Sequence, residues 1–201
     1  MFTLSQLFVY LAHLGHGCSI AAVKNGQSLD TSMGFSPLEG LMMGARSGDI
    51  DANVINYMVK KLDMSADRVI DILNSQSGFG AISGVADSRD LEDLYFENDP
   101  KAKLAIEMFC YRIAKYVASY IVPLGSSPDA LIFTAGIGER SPLKRSIIAK
   151  LLEPLNFQID EAKNDANETV ISPQDADGPK MLVIPTNEEL VIAQETYELL
   201  K

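Results

Sequence analysis

Tryptophan is absent from the 201-residue sequence, and cysteine and histidine occur only twice each. Cys18 and Cys110 lie far apart, with no CxxC pair and no Cys/His cluster, which excludes a disulfide framework and a structural zinc site and fits reduced thiols. Long apolar runs are missing too. The stretch from Leu7 to Leu14 is too short to span a bilayer, and the first residues lack the basic charge of a signal peptide, so a cytoplasmic protein with no membrane partner is expected. Basic residues are outnumbered, 17 lysines and arginines against 27 aspartates and glutamates, for a net charge of −10. That balance excludes a broad phosphate-backbone surface for nucleic acid, and an anionic ligand has to be held locally.

Apolar residues make up 47% of the chain, enough for a substantial core in one large domain or two small ones. Leu7 to Ala12 reads as a buried strand, followed by a glycine loop, Gly15-His16-Gly17, and a strand over Ser19 to Lys24. Asn25-Gly26 is a type I′ turn signal, because both positions need positive φ, so Gln27 to Thr31 folds back antiparallel. The five glycines and prolines between Met33 and Ile50 predict a structured loop with a short helix. Helical patterns follow at Asn53 to Leu62 and Ser65 to Leu73, with Ser65 as N-cap. Glycines break the pattern from Ser75 to Val85. A short helix near Asp90 to Phe96 then leads to the longest periodic segment, whose apolar face is marked by Leu104, Met108, Tyr111, Val117 and Tyr120. Ala130 to Thr134 reads as a strand running into a second glycine loop, after which Ser141-Pro142 opens a helix. A last strand at Met181 to Ile184 feeds a helix through Thr186 and Glu189, which have capping-box spacing. Three antiparallel strands followed by alternating helices and strands predict a mixed α/β sheet with flanking helices in a single domain.

Both glycine loops sit at strand ends, where backbone N–H groups approach phosphates unobstructed. The Walker A pattern is absent. What raises the signal is an ordered set of strings: HLGHGCS, DTSMGFSPLEGLMMGARSGDID, SGVADSRDLE, FTAGIGERS and VIPTNEEL. These strings, from about Ala12 to Gln194, resemble the acetate kinase family, part of the superfamily of acetate and sugar kinases, heat-shock ATPases and actin. The resemblance implies a ribonuclease H-like, ATP- and ADP-binding domain that works across a cleft from a related N-terminal domain and forms a homodimer. It places His13, Leu14, Gly15, His16 and Gly17 at the phosphates, Asp87, Ser88 and Arg89 near the adenosine, and Gly136, Ile137, Gly138, Glu139 and Arg140 at the rest of the nucleotide pocket. Arg46 matches a transition-state arginine, whose guanidinium fork suits the charge on a phosphoryl group in flight. Glu188 matches a ligand of Mg2+ (or Mn2+), an ion that takes few protein carboxylates and completes its shell with phosphate oxygens and water. Two positions depart from the family pattern: His16 and Arg140 stand where asparagine is usual.

Simpler duties compete with each assignment. His13 and His16 suit core histidines, Arg46 a salt bridge to Asp49 or Asp51, and Asp87 a turn. Arg89 suits a cover for apolar surface, Glu188 a helix-dipole carboxylate, and Gly136 a plain helix entry. Glu189 is explained by the capping box. Met42, Met43, Phe109 and the tyrosines of the long helix are core or interface residues by base rate.

The reaction implied by the resemblance is transfer of the γ-phosphoryl group of ATP to acetate, giving acetyl phosphate and ADP. The family's catalytic aspartate, acetate-binding arginine, second magnesium ligand and transition-state histidine belong to the N-terminal domain. Residues 1–201 are therefore read as the C-terminal nucleotide-binding domain without that domain, with acetate bound only when it is present and the chain alone inactive. Met1 to Gln6 does not resemble the family and is read as a start or reading-frame boundary. A propionate kinase-type fragment, a non-catalytic nucleotide-binding or dimerisation module, and a decayed gene product remain alternatives.

Overall fold

Alternation of side chains builds the first hairpin. In Phe8–Leu14 (β1), Tyr10, Ala12 and Leu14 point into the core while Leu11 and His13 are half-buried; in Cys18–Lys24 (β2), Cys18, Ile20 and Ala22 do the same. The computed structural model describes residues 7–201, so the reading of Met1 to Gln6 lies outside the described residues. β1 pairs antiparallel with β2 up to Leu14 opposite Cys18. The ladder thus runs two residues beyond the expected end at Ala12, and His13 and Leu14 are strand residues, leaving only Gly15-His16-Gly17 as the turn. Asn25 and Gly26 take φ of 56° and 78°, the positive pair the type I′ signal demands. Gln27–Thr31 (β3) returns antiparallel as an exposed strand, with a register shift between Ala22 and Val23 that leaves Leu29 without an opposite residue.

Ala130–Thr134 (β4) joins β1 in parallel, and Lys180–Val183 (β5) joins β4 in parallel, giving the order β3-β2-β1-β4-β5. This is the mixed sheet expected. Helices cover it: Asn53–Leu62 (α1), Ala66–Ser75 (α2), Gly78–Ser83 (α3), Ser88–Phe96 (α4), Pro100–Ser119 (α5) and Ile121–Leu124 (α6), followed after β4 by Ala135–Arg140 (α7), Pro142–Leu151 (α8), Glu161–Asp165 (α9) and Glu188–Leu199 (α10). Local caps set many boundaries as expected. Ser65 accepts from the N–H of Arg68 at 3.2 Å, and Ser141 from that of Lys144 at 3.2 Å with Pro142 in the first turn.

Five expectations are corrected. No helix forms between Met33 and Ile50, because the loop's carbonyls are engaged by another segment. That segment is α3, which forms where glycines predicted a break. Its leading N–H groups bond the loop, Phe79 to Met43 O and Gly80 to Gly44 O, both at 2.9 Å. The second glycine loop is the first turn of α7 instead. Thr186 does not cap α10. Asn187 accepts from the N–H of Leu190 at 3.1 Å, while Thr186 turns back to donate its N–H to Glu139 at 2.9 Å, so the capping box with Glu189 does not exist.

The fifth correction concerns α5. Its core face is Ala102, Ala105, Ile106, Phe109, Cys110, Ile113, Ala114 and Val117, whereas Leu104, Met108 and Tyr111 are exposed on the other side. The helix carries apolar residues on two faces, and the sequence pattern does not say which one meets the sheet. No helix among the described residues is long and apolar enough to cross a membrane.

Cys18 and Cys110 are both buried and unpaired. Burial pushes each thiol up from an ordinary value near 9 to about 12. Between those values the unfolded chain loses protons that the folded chain retains, so stability is full below about pH 9 and falls as pH rises beyond it. Urea titrations at pH 7.5 and 10 are expected to give the lower midpoint at pH 10. Neither thiol should react with iodoacetamide at pH 8 until the protein is unfolded.

Candidate functional site

Parallel pairing of β1 and β4 sets His13 opposite Thr134, so both strands end on the same edge of the sheet and release their glycine segments side by side. The approach is close: a Cβ on Gly15 would lie 3.3 Å from the Cβ of Ala135. Ala135 itself sits at φ +62°, a left-handed conformation an alanine adopts only at a cost of about 1–2 kcal/mol. Backbone strain is thus concentrated at the turn from β4 into α7, and strain of this kind gathers at ligand sites.

Two adjoining clefts open along this edge and share Gly15, His16 and Gly136. The first, about 310 Å³, runs over Gly44 and Phe79 to Asp87, Ser88 and Arg89 at the start of α4, and to Ile137 and Arg140 of α7. The second, about 540 Å³, is bounded by His13, Ala135 and the Thr186 to Glu189 segment. Most of the residues expected at a nucleotide site are therefore brought together. Four of them, Leu14, Gly17, Gly138 and Glu139, line neither cleft, and neither does Arg46. Leu14 is buried on the core face of β1. Gly138 is buried, and its carbonyl accepts from Arg145 at 2.8 Å.

Arg46 owes its place to the tight loop before α1. Besides the bonds from α3, the Ser77 N–H donates to Ala45 O at 2.8 Å and the Met43 N–H to Arg46 O at 3.1 Å, so the carbonyls from Met43 to Arg46 are all engaged. Gly78 allows this approach, with φ +65° and a position where a Cβ would lie 2.0 Å from Met43 O. The half-buried guanidinium lies over the glycine turn, with one nitrogen 3.6 Å from where a Cβ on Gly17 would be and 3.6 Å from the sulfur of Met43. Neither proposed salt bridge forms. Asp49 bonds Tyr116 at 2.6 Å and Gly40 N–H at 2.7 Å and pairs with Arg112, and Asp51 caps Asn53. Arg46 makes no ion pair with a described carboxylate, leaving it free for an external anion.

Asp87 does form the local turn: it caps α4 by accepting from Arg89 N–H at 2.8 Å and grips the Arg89 guanidinium at 3.1 and 2.8 Å. This pairing holds its carboxyl well below the usual carboxylate range. Arg89 covers no apolar surface, being 84% exposed at the cleft rim. His16 is exposed at the hairpin tip, and His13 is half-buried with its ring toward the second cleft, so neither is a core histidine. Glu188, in the first turn of α10, is exposed at the cleft's far side. No cluster of three metal-ligating side chains exists among the described residues. Glu188 and its neighbour Glu189 both line the second cleft, and hard carboxylates there fit magnesium, which binds through one or two carboxylates plus phosphate oxygens and water.

Sequence reading missed two buried cations behind the site. Arg145 donates to Asn164, Asn167 and Gly138 with no carboxylate partner, and burial lowers its pKa to about 10. Lys144 lies beneath the first cleft. Both sit in an ordinary PLKRSIIAKL helix pattern, where a basic pair reads as a solvated face.

The acetokinase family model matches residues 3–194, which extends the resemblance ahead of Ala12 and corrects the expectation that Met1 to Gln6 falls outside the family pattern. The chain is 50% identical over 198 residues to the acetate kinase of Carboxydothermus hydrogenoformans, covering 98% of this chain and 49% of that protein. It is likewise 50% identical over 203 residues to the acetate kinase of Shewanella loihica, covering 98% and 50%. Among solved structures, a propionate kinase from Francisella tularensis superposes with a TM-score of 0.91 at 47% identity, over 94% of this chain and 49% of that one. Porphyromonas gingivalis acetate kinase gives 0.91 at 37% identity, over 98% and 50%. The chain spans about half the length of the curated relatives it matches.

Gly78→Ala is expected to destabilise the protein by about 2 kcal/mol or more in urea denaturation, since both φ and space forbid the methyl group. Gly26→Ala, at φ +78° with nothing within 4 Å, should cost only about 1 kcal/mol. Equal losses would mean that close approach to the Arg46 loop contributes nothing.

Proposed function

Because the chain belongs to the acetokinase family, we propose that it is the C-terminal, nucleotide-binding domain of a cytoplasmic acyl kinase, carrying ATP or ADP opposite a second domain that holds acetate. One observation supports this above the others. Two glycine segments at adjacent strand ends border one continuous pair of clefts, Glu188 and Glu189 line the second, and Arg46, with no described carboxylate partner, lies over Gly17 of the first segment.

In this reading His13 to Gly17 and the start of α7 receive the phosphates through backbone N–H groups, while Asp87 to Arg89 and Ile137 to Arg140 border the nucleoside. Arg46 engages the equatorial oxygens of the transferring γ-phosphoryl group, whose charge is spread in the transition state. Glu188 would hold magnesium, which neutralises phosphate charge when bound. The chain's own residues position and stabilise; the acceptor oxygen attacks in line from the second domain, and ADP leaves on this one.

The second domain is supported by α10. Leu190, Val191, Ile192, Tyr197 and Leu199 are all exposed and the helix buries no residue, a surface that isolated soluble domains rarely leave uncovered. A homodimer is supported by the second apolar stripe of α5, Leu104, Met108 and Tyr111, at helical spacing on its outer face. Acetate is favoured as acceptor by the two acetate kinase relatives. A propionate acceptor remains the rival, on the strength of the Francisella structure.

With magnesium, ATP and acetate, the chain alone is expected to bind ATP in calorimetry and to form no acetyl phosphate. Adding the half of the C. hydrogenoformans enzyme that this chain does not match should restore turnover. Arg46→Ala should then lower it by about 10²–10³-fold. Turnover by the chain alone, or restored turnover indifferent to Arg46, would overturn the reading. Met108→Lys is expected to shift the sedimenting species from dimer to monomer.

A further inference from the structure

Beneath the first cleft lies a charged pair, Lys144 and Glu92, so far given no part in the site. Lys144 is 1% exposed, and lysine is almost never fully buried unless it is paired. Its Nζ has three protons and three acceptors: Glu92 Oε1, Ser88 Oγ at 2.9 Å and Ser88 O at 3.4 Å. Ser141 Oγ donates to the same Glu92 oxygen at 2.6 Å. Glu92 Oε1 thus takes two donors. Oε2 takes none from a described residue, and the side chain is 18% exposed, opening onto the cleft.

Around this floor the walls are Gly44, Phe79, Ala86 and Ile137, flat and largely apolar. The floor therefore presents one unused carboxylate oxygen at the end of the cleft away from Glu188. An isolated carboxylate there would repel a nucleotide's phosphates. Lys144 cancels that charge at contact distance, so the oxygen remains as an acceptor in a neutral pair.

Resting on the nucleotide-site reading, we propose that Glu92, held by Lys144, is a specificity-determining acceptor for an N–H or O–H donor of the nucleoside. That donor is either the exocyclic amine of the base or a ribose hydroxyl. Lys144 is a positioning residue: it never meets the ligand, but it fixes which carboxylate oxygen faces it.

The test is calorimetric titration of the full chain with MgATP, MgITP, Mg-2′-deoxyATP, Mg-3′-deoxyATP and magnesium triphosphate. ITP lacks the amine, and each deoxynucleotide lacks one hydroxyl. ATP is expected to bind at least about tenfold more tightly than whichever analogue lacks the donor, the value of one hydrogen bond to a charged group. Glu92→Leu combined with Lys144→Met removes both charges together, a replacement buried pairs often tolerate; it should bind all four nucleotides within about twofold of one another. If that variant fails to melt cooperatively, isosteric Glu92→Gln replaces it, and the same loss of discrimination is expected. Equal binding of the four nucleotides by the unaltered chain, or discrimination that survives in the variant, would overturn the proposal. Triphosphate binding without nucleoside discrimination would sink this inference and leave the phosphate site standing. No binding of any of the five ligands by the folded chain would reject the nucleotide reading and this inference with it.

Discussion

Two parallel strands of unlike origin, β1 from the opening hairpin and β4 from a segment more than a hundred residues later, are locked by backbone hydrogen bonds with His13 opposite Thr134. The pairing forces their chain ends to the same edge, and everything at the site is arranged around that edge. A slip of one residue would turn His13 into the core and Leu14 out to the cleft, since strand side chains alternate faces. Tyr10, Ala12 and Leu14, buried together on one side, hold the register against that slip.

The site is then completed by segments that have no regular structure of their own or very little. The Met43 to Arg46 loop is held because α3 lends it the N–H groups that a helix start leaves unsatisfied. α3 in turn begins where Gly78 lets two backbones approach at a distance no side chain permits. Behind α7, Arg145 ties Gly138 to Asn164 and Asn167, so the glycine-rich turn is anchored from its buried side while its outer side stays open. Buried polar groups here serve placement, because each fixes a backbone carbonyl or a carboxylate that an apolar core would leave free to move.

Two apolar surfaces are left in solvent, α10 and the outer stripe of α5. The same surfaces explain why the long helix misled the sequence reading. Leu104, Met108 and Tyr111 obey helical periodicity as well as Ile106, Phe109 and Ile113 do, and periodicity records a face without recording its partner.

Features legible in the sequence by itself are those decided within a few residues of chain. Asn25-Gly26 fixed a turn through φ, Ser65 and Ser141-Pro142 fixed helix starts through caps, and the strand from Ala130 to Thr134 was fixed by its apolar run between turn signals. The ordered strings from HLGHGCS to VIPTNEEL also pointed to the family by resemblance, which the family match over residues 3–194 bears out. Tertiary structure decided the rest: which face of α5 is buried, that α3 and α7 are helical despite their glycines, that Thr186 serves Glu139 and Asn187 caps α10, and that Lys144 and Arg145 lie inside. For α3, the burial of Lys144 and Arg145 and the Thr186 to Glu139 bond that frees Asn187 to cap α10, the deciding contact comes from a partner distant in sequence, which local propensity and periodicity do not register.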